Sequence, residues 1–257
     1  MSTTTAPWTP GDRSSGTVTG NPAPSRTSSR MWSSRLIGAL FLAGFLVYGT
    51  GAILVNTVVG TPGFLADVGT HQTTLALGAL LMIATAAVDI GKAVIFFPVL
   101  EPYGKRTAVA YLATMVFEVA MMTVGVLALL MVVPLADQVE AGEQSLASAQ
   151  ALGSLAVDAN ETAYQIGQLS LAFGALFLCA LLIRSGLIPR WLAVWGLIGY
   201  SLHFAGATAE ILGAPLSLVL LIPGGLFEVT LGVWLIVKGF TPTAYDGATV
   251  SGARAGR

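Results

Sequence analysis

Four ionisable side chains stand inside long apolar runs of this 257-residue chain, Asp89, Glu118, His203 and Glu228, and Lys92 follows one turn after Asp89. A charge near the centre of a bilayer costs at least about 2.5 to 3.5 kcal/mol on insertion scales, so each such group needs a partner, a cavity or a change of protonation. Counting about 1.5 Å of rise per residue from the first residue beyond the basic end of each run, Asp89 lies about 18 Å deep, Glu228 about 15 Å, Glu118 about 18 Å and His203 about 20 Å. The four therefore share one midplane layer. Carboxyls and an imidazole gathered at one depth can hold a proton, a cation or a small polar ligand, or serve as a general acid.

Residues three, four and seven apart share a helix face, so the companions of each acid show whether it can point inward. Glu228 shares its face with Gly224, Gly225 and Gly232, and His203 with Gly196, Gly199, Gly206 and Glu210. Such small residues let helices approach closely. Glu118 lines up with Tyr111, Thr114 and Gly125 but also with Met121 and Met122, which leaves its direction open. Asn160, Tyr164 and Gln168 recur every four residues and read as a wet vestibule above the acidic layer, opening away from the basic ends. Plainer readings stand beside these. Asp89 and Lys92 can neutralise each other, and Lys92 can instead snorkel toward the nearer surface. Glu118, Glu228 and His203 can act only as hydrogen-bonding groups between helices, while Glu161 and Glu210 suit a hydrated rim.

Soluble-enzyme signatures are missing. No Gly-x-Ser-x-Gly elbow, phosphate-cradling Gly loop with Lys, Cys pair or two-His helix spacing occurs. His71 and His203 are the only histidines and Cys179 the only cysteine, so neither a metal nor a redox cofactor is expected.

The elements that must position these groups follow from composition. The chain is 54% hydrophobic and 10% charged with a net charge of -1, against roughly 25% charged in an ordinary soluble domain. A water-soluble fold and a nucleic-acid partner are excluded on that ground, and the bilayer is the expected partner; oligomeric state is not legible. Six apolar runs are each long enough to span about 30 Å of hydrocarbon: residues 35–57, 73–100, 107–133, 163–183, 191–212 and 216–237. The fold class expected is all-α, a polytopic bundle of six transmembrane helices. Residues 1–34 and 241–257 read as disordered tails around a membrane domain at 35–240, and residues 134–162 as a polar connection.

Lys and Arg should collect in alternate connections on the cytoplasmic side. Arg13, Arg26, Arg30 and Arg35 precede the first run, Lys105 and Arg106 follow the second, Arg184 and Arg190 follow the fourth, and Lys238, Arg254 and Arg257 follow the sixth. That is eleven of twelve basic residues, Lys92 being the other, and it predicts both termini in the cytoplasm. Phe117-Glu118-Val119 recurs as Phe227-Glu228-Val229, a weak sign of an internal repeat.

The segments RSGLIPRWLAVWGLIGY, PGGLFEVTLGVWLIVKGF and FFPVLEPYGKRTAVAYL carry a resemblance to the bacterial multi-spanning family called domain of unknown function 4386. The turn SGLIPRW at Ser185 to Trp191, and Glu228, Trp234, Leu235, Lys238 and Gly239 in the closing segment, are its most specific pieces. The resemblance covers roughly residues 35–240 and implies a multi-pass protein of the bacterial cytoplasmic membrane, with no particular activity. Members often carry an Arg where this chain has Met115, so an Arg-Glu pair is not a shared site here.

The leading functional expectation is binding or transport of a proton, cation or small polar ligand by Glu118, His203 and Glu228, with Asp89 and Lys92 beside them. An intramembrane enzyme using Glu118 or Glu228 as general acid is the second reading. A structural or regulatory membrane subunit, with Ser201, Ala205 and Ala209 as a contact stripe, is the third.

Overall fold

The structure is a computed structural model that describes residues 26–242, and residues 1–25 and 243–257 of the tails expected at 1–34 and 241–257 lie outside that range. Among the described residues the chain is all helix and turn, with no strand. Helices α1 (Arg26–Val59), α2 (Val68–Leu130), α3 (Val132–Glu140), α4 (Leu146–Ser185), α5 (Arg190–Ile211) and α6 (Ser217–Val237) follow in order, with a short 3-10 turn at Phe64–Asp67. Five of the helical stretches are long and apolar enough to cross a membrane. Their outward residues, such as Leu80, Val94, Leu127, Ile198 and Leu218, are apolar and exposed, as a lipid-facing surface requires.

The apolar run at 73–100 and residues 107–130 of the next run lie in α2, which is two helices joined at a kink. Gly104 takes φ 177 and ψ 82, outside helical geometry, and Pro98 and Pro102 remove backbone donors just before it. Phe96 and Tyr111 would stand about 22 Å apart along an unbroken helix, yet their rings meet edge to face at 6.4 Å. The two arms of α2, residues 68–103 and 105–130, thus lie side by side.

Two further boundaries differ from expectation. α1 starts at Arg26, inside the stretch read as a disordered tail. Within that stretch Ser34 is buried, with its hydroxyl beside Gly239. The polar stretch 134–162 is not an open connection either: α3 fills its first part and α4 starts at Leu146, where the Ser145 hydroxyl accepts from Ser148 N and caps the first turn. Ala149 and Gly153 then bury against Phe64 and Leu65.

α1 packs on α2 and α6, α6 on α5, α5 on α4, and α4 on α2, so the helices close a ring. Glycines set several of these contacts. A Cβ on Gly38 of α1 would stand 2.5 Å from the Gly232 carbonyl oxygen of α6, and one on Gly51 would stand 2.7 Å from that of Gly78 in α2. Between α5 and α6 a Cβ on Gly199 would reach 2.9 Å from Gly224 Cα. α4 ends at Gly186, whose φ of 66 is a left-handed cap that a side chain would strain.

The interior has two apolar clusters. One, with Ile37, Phe96, Leu100, Leu182, Ile188 and Leu235, fills the end that carries Arg35, Lys105, Arg184 and Arg190. The other, with Val55, Leu65, Leu75, Leu129, Ala136 and Ala149, fills the opposite end between α1, α2, α3 and α4.

Candidate functional site

A cavity of about 210 Å³ opens among α1, α2, α4, α5 and α6. An engineered apolar cavity of about 150 Å³ accepts benzene, so this one has room for a few waters or one small molecule. Asp89, Lys92, Glu118, His203 and Glu228 all line it, from four different helical segments. The coincidence of depth read along the separate runs is a real convergence in space.

Asp89 and Lys92 form one sub-site. Lys92 Nζ donates to Asp89 Oδ1 at 2.7 Å, with both side chains buried, and the ammonium stands 4.6 Å from the centroid of the Phe41 ring. An i, i+3 spacing permits this contact on one helix face, and the aromatic face adds a cation–π attraction. Lys92 does not snorkel: its carbon stem and ammonium stay inside, because the acid and the ring beside it replace water. Gly44 of α1 lies beside the pair, and a Cβ there would be in ordinary contact at 3.6 Å from Asp89 Oδ1.

Glu228 and Tyr200 form the second sub-site. The Tyr200 hydroxyl donates to Glu228 Oε1 between α5 and α6. Tyr200 also stacks on His203 one turn along, with ring centroids 6.2 Å apart, and meets Phe227 edge to face at 5.8 Å. These aromatic contacts fix both partners of the pair.

Glu118 and His203 differ from these. Each is only 3% exposed, and Glu118 Oε2 and His203 Nε2 are buried without any hydrogen-bond partner. A buried polar atom without a partner forfeits about 1 to 3 kcal/mol relative to one that is satisfied. Glu118 turns inward, resolving the ambiguity of its Met neighbours, and is held there by α4: a Cβ on Gly167 would stand 3.2 Å from the Glu118 carbonyl oxygen. His203 faces α6 at Gly224, where a Cβ would stand 3.7 Å from its Nδ1.

Tyr164 and Gln168 of the polar stripe line the same cavity, and Asn160 does not. Asn160 packs instead on Gly125 of the second α2 arm. Four-residue steps drift by about 40° around a helix, so Asn160 and Gln168 differ by about 80° in direction. Tyr164 stacks on Tyr48 of α1, centroids 5.4 Å apart and planes 12° from parallel, which bridges α1 to α4 above the acids. Nearby, Ser217 Oγ of α6 donates to Gln165 Oε1 of α4 at 2.9 Å. Glu210 accepts from the Ser217 backbone N–H at 3.0 Å and so serves the start of α6.

Tyr200, Phe41 and Tyr48 complete the site without having stood out in the sequence. Tyr200 lies one turn before His203 on the same face, which was a usable signal. Phe41 and Tyr48 are aromatic residues in an apolar run, and nothing in their spacing marks them. Among the described residues no group of three or more His, Cys, Asp or Glu side chains is placed to hold a metal ion. The arrangement offers carboxyl and imidazole acceptors in a small space walled by aromatic rings.

No curated protein and no solved structure matches the chain. A family model described as Domain of unknown function (DUF4386) matches residues 36–239, which include every residue lining the cavity. Since that match takes in most of the chain, the protein belongs to the DUF4386 family.

Proposed function

We propose that this protein is a membrane binding or transport protein whose intramembrane site takes a cation or small polar ligand on Glu118, His203 and Glu228. The observation that carries the reading is the pair of buried, unpartnered atoms, Glu118 Oε2 and His203 Nε2, on residues that line one cavity with Glu228. Evolved interiors satisfy nearly all their buried polar groups, and an exogenous partner would satisfy these. Asp89 and Lys92 neutralise each other within the same wall, so Glu118 and Glu228 are left as the acids free to compensate an incoming positive charge.

The topology that goes with this reading has six crossings, with the two α2 arms counted separately, and both termini in the cytoplasm of a bacterial cell. The distribution of Lys and Arg supports it. The break at Gly104 beside Lys105 and Arg106 supports it as well.

The test is a thermal-shift screen of the purified protein against inorganic and organic cations and small polar molecules, repeated with Glu118→Gln and Glu228→Gln. A ligand that binds the folded state alone raises apparent stability by about 2.7 kcal/mol at a hundred times its dissociation constant. The expected result is a shift with wild type that both variants lose. If nothing shifts the wild type while both variants keep full stability, the acids only pack helices and the binding reading falls.

A further inference from the structure

Resting on the cation-site reading above, we propose that the ligand is a small lipid-soluble amine, which reaches the cavity from the bilayer between α1 and α6. It is held there as the ammonium ion against Glu118.

The route follows from what closes the other sides. The apolar cluster around Phe96, Leu182 and Leu235 fills the basic end. At the opposite end the second apolar cluster fills the space between α1, α2 and α4. The Tyr48–Tyr164 stack joins α1 to α4, and the Ser217–Gln165 hydrogen bond joins α6 to α4. The seam between α1 and α6 is built differently. It is tight at Gly38 and Gly232. Two turns further along α1, the Phe45 ring spans to α6, standing 3.7 Å from where a Cβ on Gly225 would be. Phe45 is 39% exposed and also lines the cavity, as do Gly44 and Gly49 of the same helix. That ring therefore stands between the cavity and the outer surface at the α1–α6 seam, with glycines of both helices beside it.

The chemistry follows from that route. A permanent cation crosses hydrocarbon only at high cost, whereas a neutral amine partitions into it. Once inside, the amine nitrogen's lone pair takes the proton from Glu118 Oε2, giving a carboxylate and an ammonium in contact with no change of total charge. The ammonium N–H groups then donate to Glu118 Oε2 and, in its Nδ1–H tautomer, to His203 Nε2, the two atoms left without partners. The carbon skeleton rests against Phe45 and the Tyr48–Tyr164 stack. The volume of about 210 Å³ limits it to roughly the size of a single ring with one methylene.

Benzylamine, benzyl alcohol and tetramethylammonium, offered to the protein in lipid nanodiscs, separate the possibilities. Benzylamine is expected to raise the unfolding midpoint, and benzyl alcohol at equal concentration is not. Near neutral pH free benzylamine is the ammonium ion, so its binding should release a proton to buffer for each amine bound. Calorimetry in buffers of different ionisation enthalpy reads that proton. Glu118→Gln should abolish both effects, and Phe45→Trp should slow association. Should Glu118→Gln fail to fold, the amine–alcohol contrast and the proton count on wild type still decide.

Equal shifts by alcohol and amine, or no proton release, would overturn the proposal in favour of a plain apolar pocket. A shift by tetramethylammonium without one by benzylamine would leave the cation site standing and remove the amine. Silence from every compound here and in the cation screen would remove both. Labelling of Gln168→Cys, in a Cys179→Ala background, by a membrane-impermeant thiol reagent would show a water-filled vestibule and overturn the lipid route.

Discussion

At the scale of single residues, the cavity wall contains charges in two states of compensation. Lys92 and Asp89 are matched to each other within one helix turn and to the Phe41 ring. Removing one member of a buried pair strands the other, which costs about 3 to 5 kcal/mol. Asp89→Asn and Lys92→Met are each expected to lower the unfolding free energy by that order, and the double variant by less than either single change. Denaturation of the three variants in one detergent checks this, and strictly additive losses would show that the ion pair is not the unit. Glu118 is the opposite case: one of its oxygens has no protein partner. Glu118→Gln should therefore alter ligand response more than stability, since no protein hydrogen bond to that atom is lost.

At the scale of helices, close approach rather than shape of the apolar surface decides which faces meet. Gly199 and Gly224 bring α5 and α6 together at the level of His203 and Glu228, and a Cβ on Gly199 would stand 2.9 Å from the Gly224 backbone. Backbone cannot give way as a side-chain tip can, so Gly199→Ala should cost about 1 to 3 kcal/mol. It should also weaken the Tyr200–Glu228 hydrogen bond that crosses the same interface. Gly225→Ala is the control. Its Cβ would meet only side-chain atoms of Phe45 and Leu221 at 3.7 and 3.8 Å, and the unfolding midpoint should stay close to wild type. Comparable losses at both positions would refute the assignment of tighter packing to Gly199 than to Gly225.

At the scale of the whole molecule, the charge pattern is what supports the proposed orientation. The short connection at 186–189 lies beside the end of α6, where Thr241 N donates to the Leu187 carbonyl at 2.9 Å. Arg35 Nε donates to the Ile236 carbonyl at 3.3 Å nearby. The start of α1, the α4–α5 turn and the end of α6 therefore share one face, which is the basic one. A reporter that is fluorescent only in the cytoplasm is expected to be active when fused after Arg257 and inactive when inserted at Gly142, in the turn between α3 and α4. The reverse pattern, or equal activity at both sites, would overturn the orientation.

Hydropathy and helix periodicity were enough to give the all-helical membrane class and the inward faces of Glu228 and His203. These are properties of one helix at a time, fixed by the unfavourable free energy of exposing backbone or charge to hydrocarbon. The same reasoning could not see that α4 extends back to Leu146, because Ala149 and Gly153 bury only when Phe64 and Leu65 arrive from another segment. Nor could it tell that Asn160 faces Gly125 while Gln168 faces the cavity, that Phe41 underlies Lys92, or that Tyr48 stacks on Tyr164. Each of these depends on which helices are neighbours and how they are rotated, and many rotations bury similar apolar area. Only the tertiary contacts, set by glycine-sized gaps between particular helices, select the one that brings the acids together.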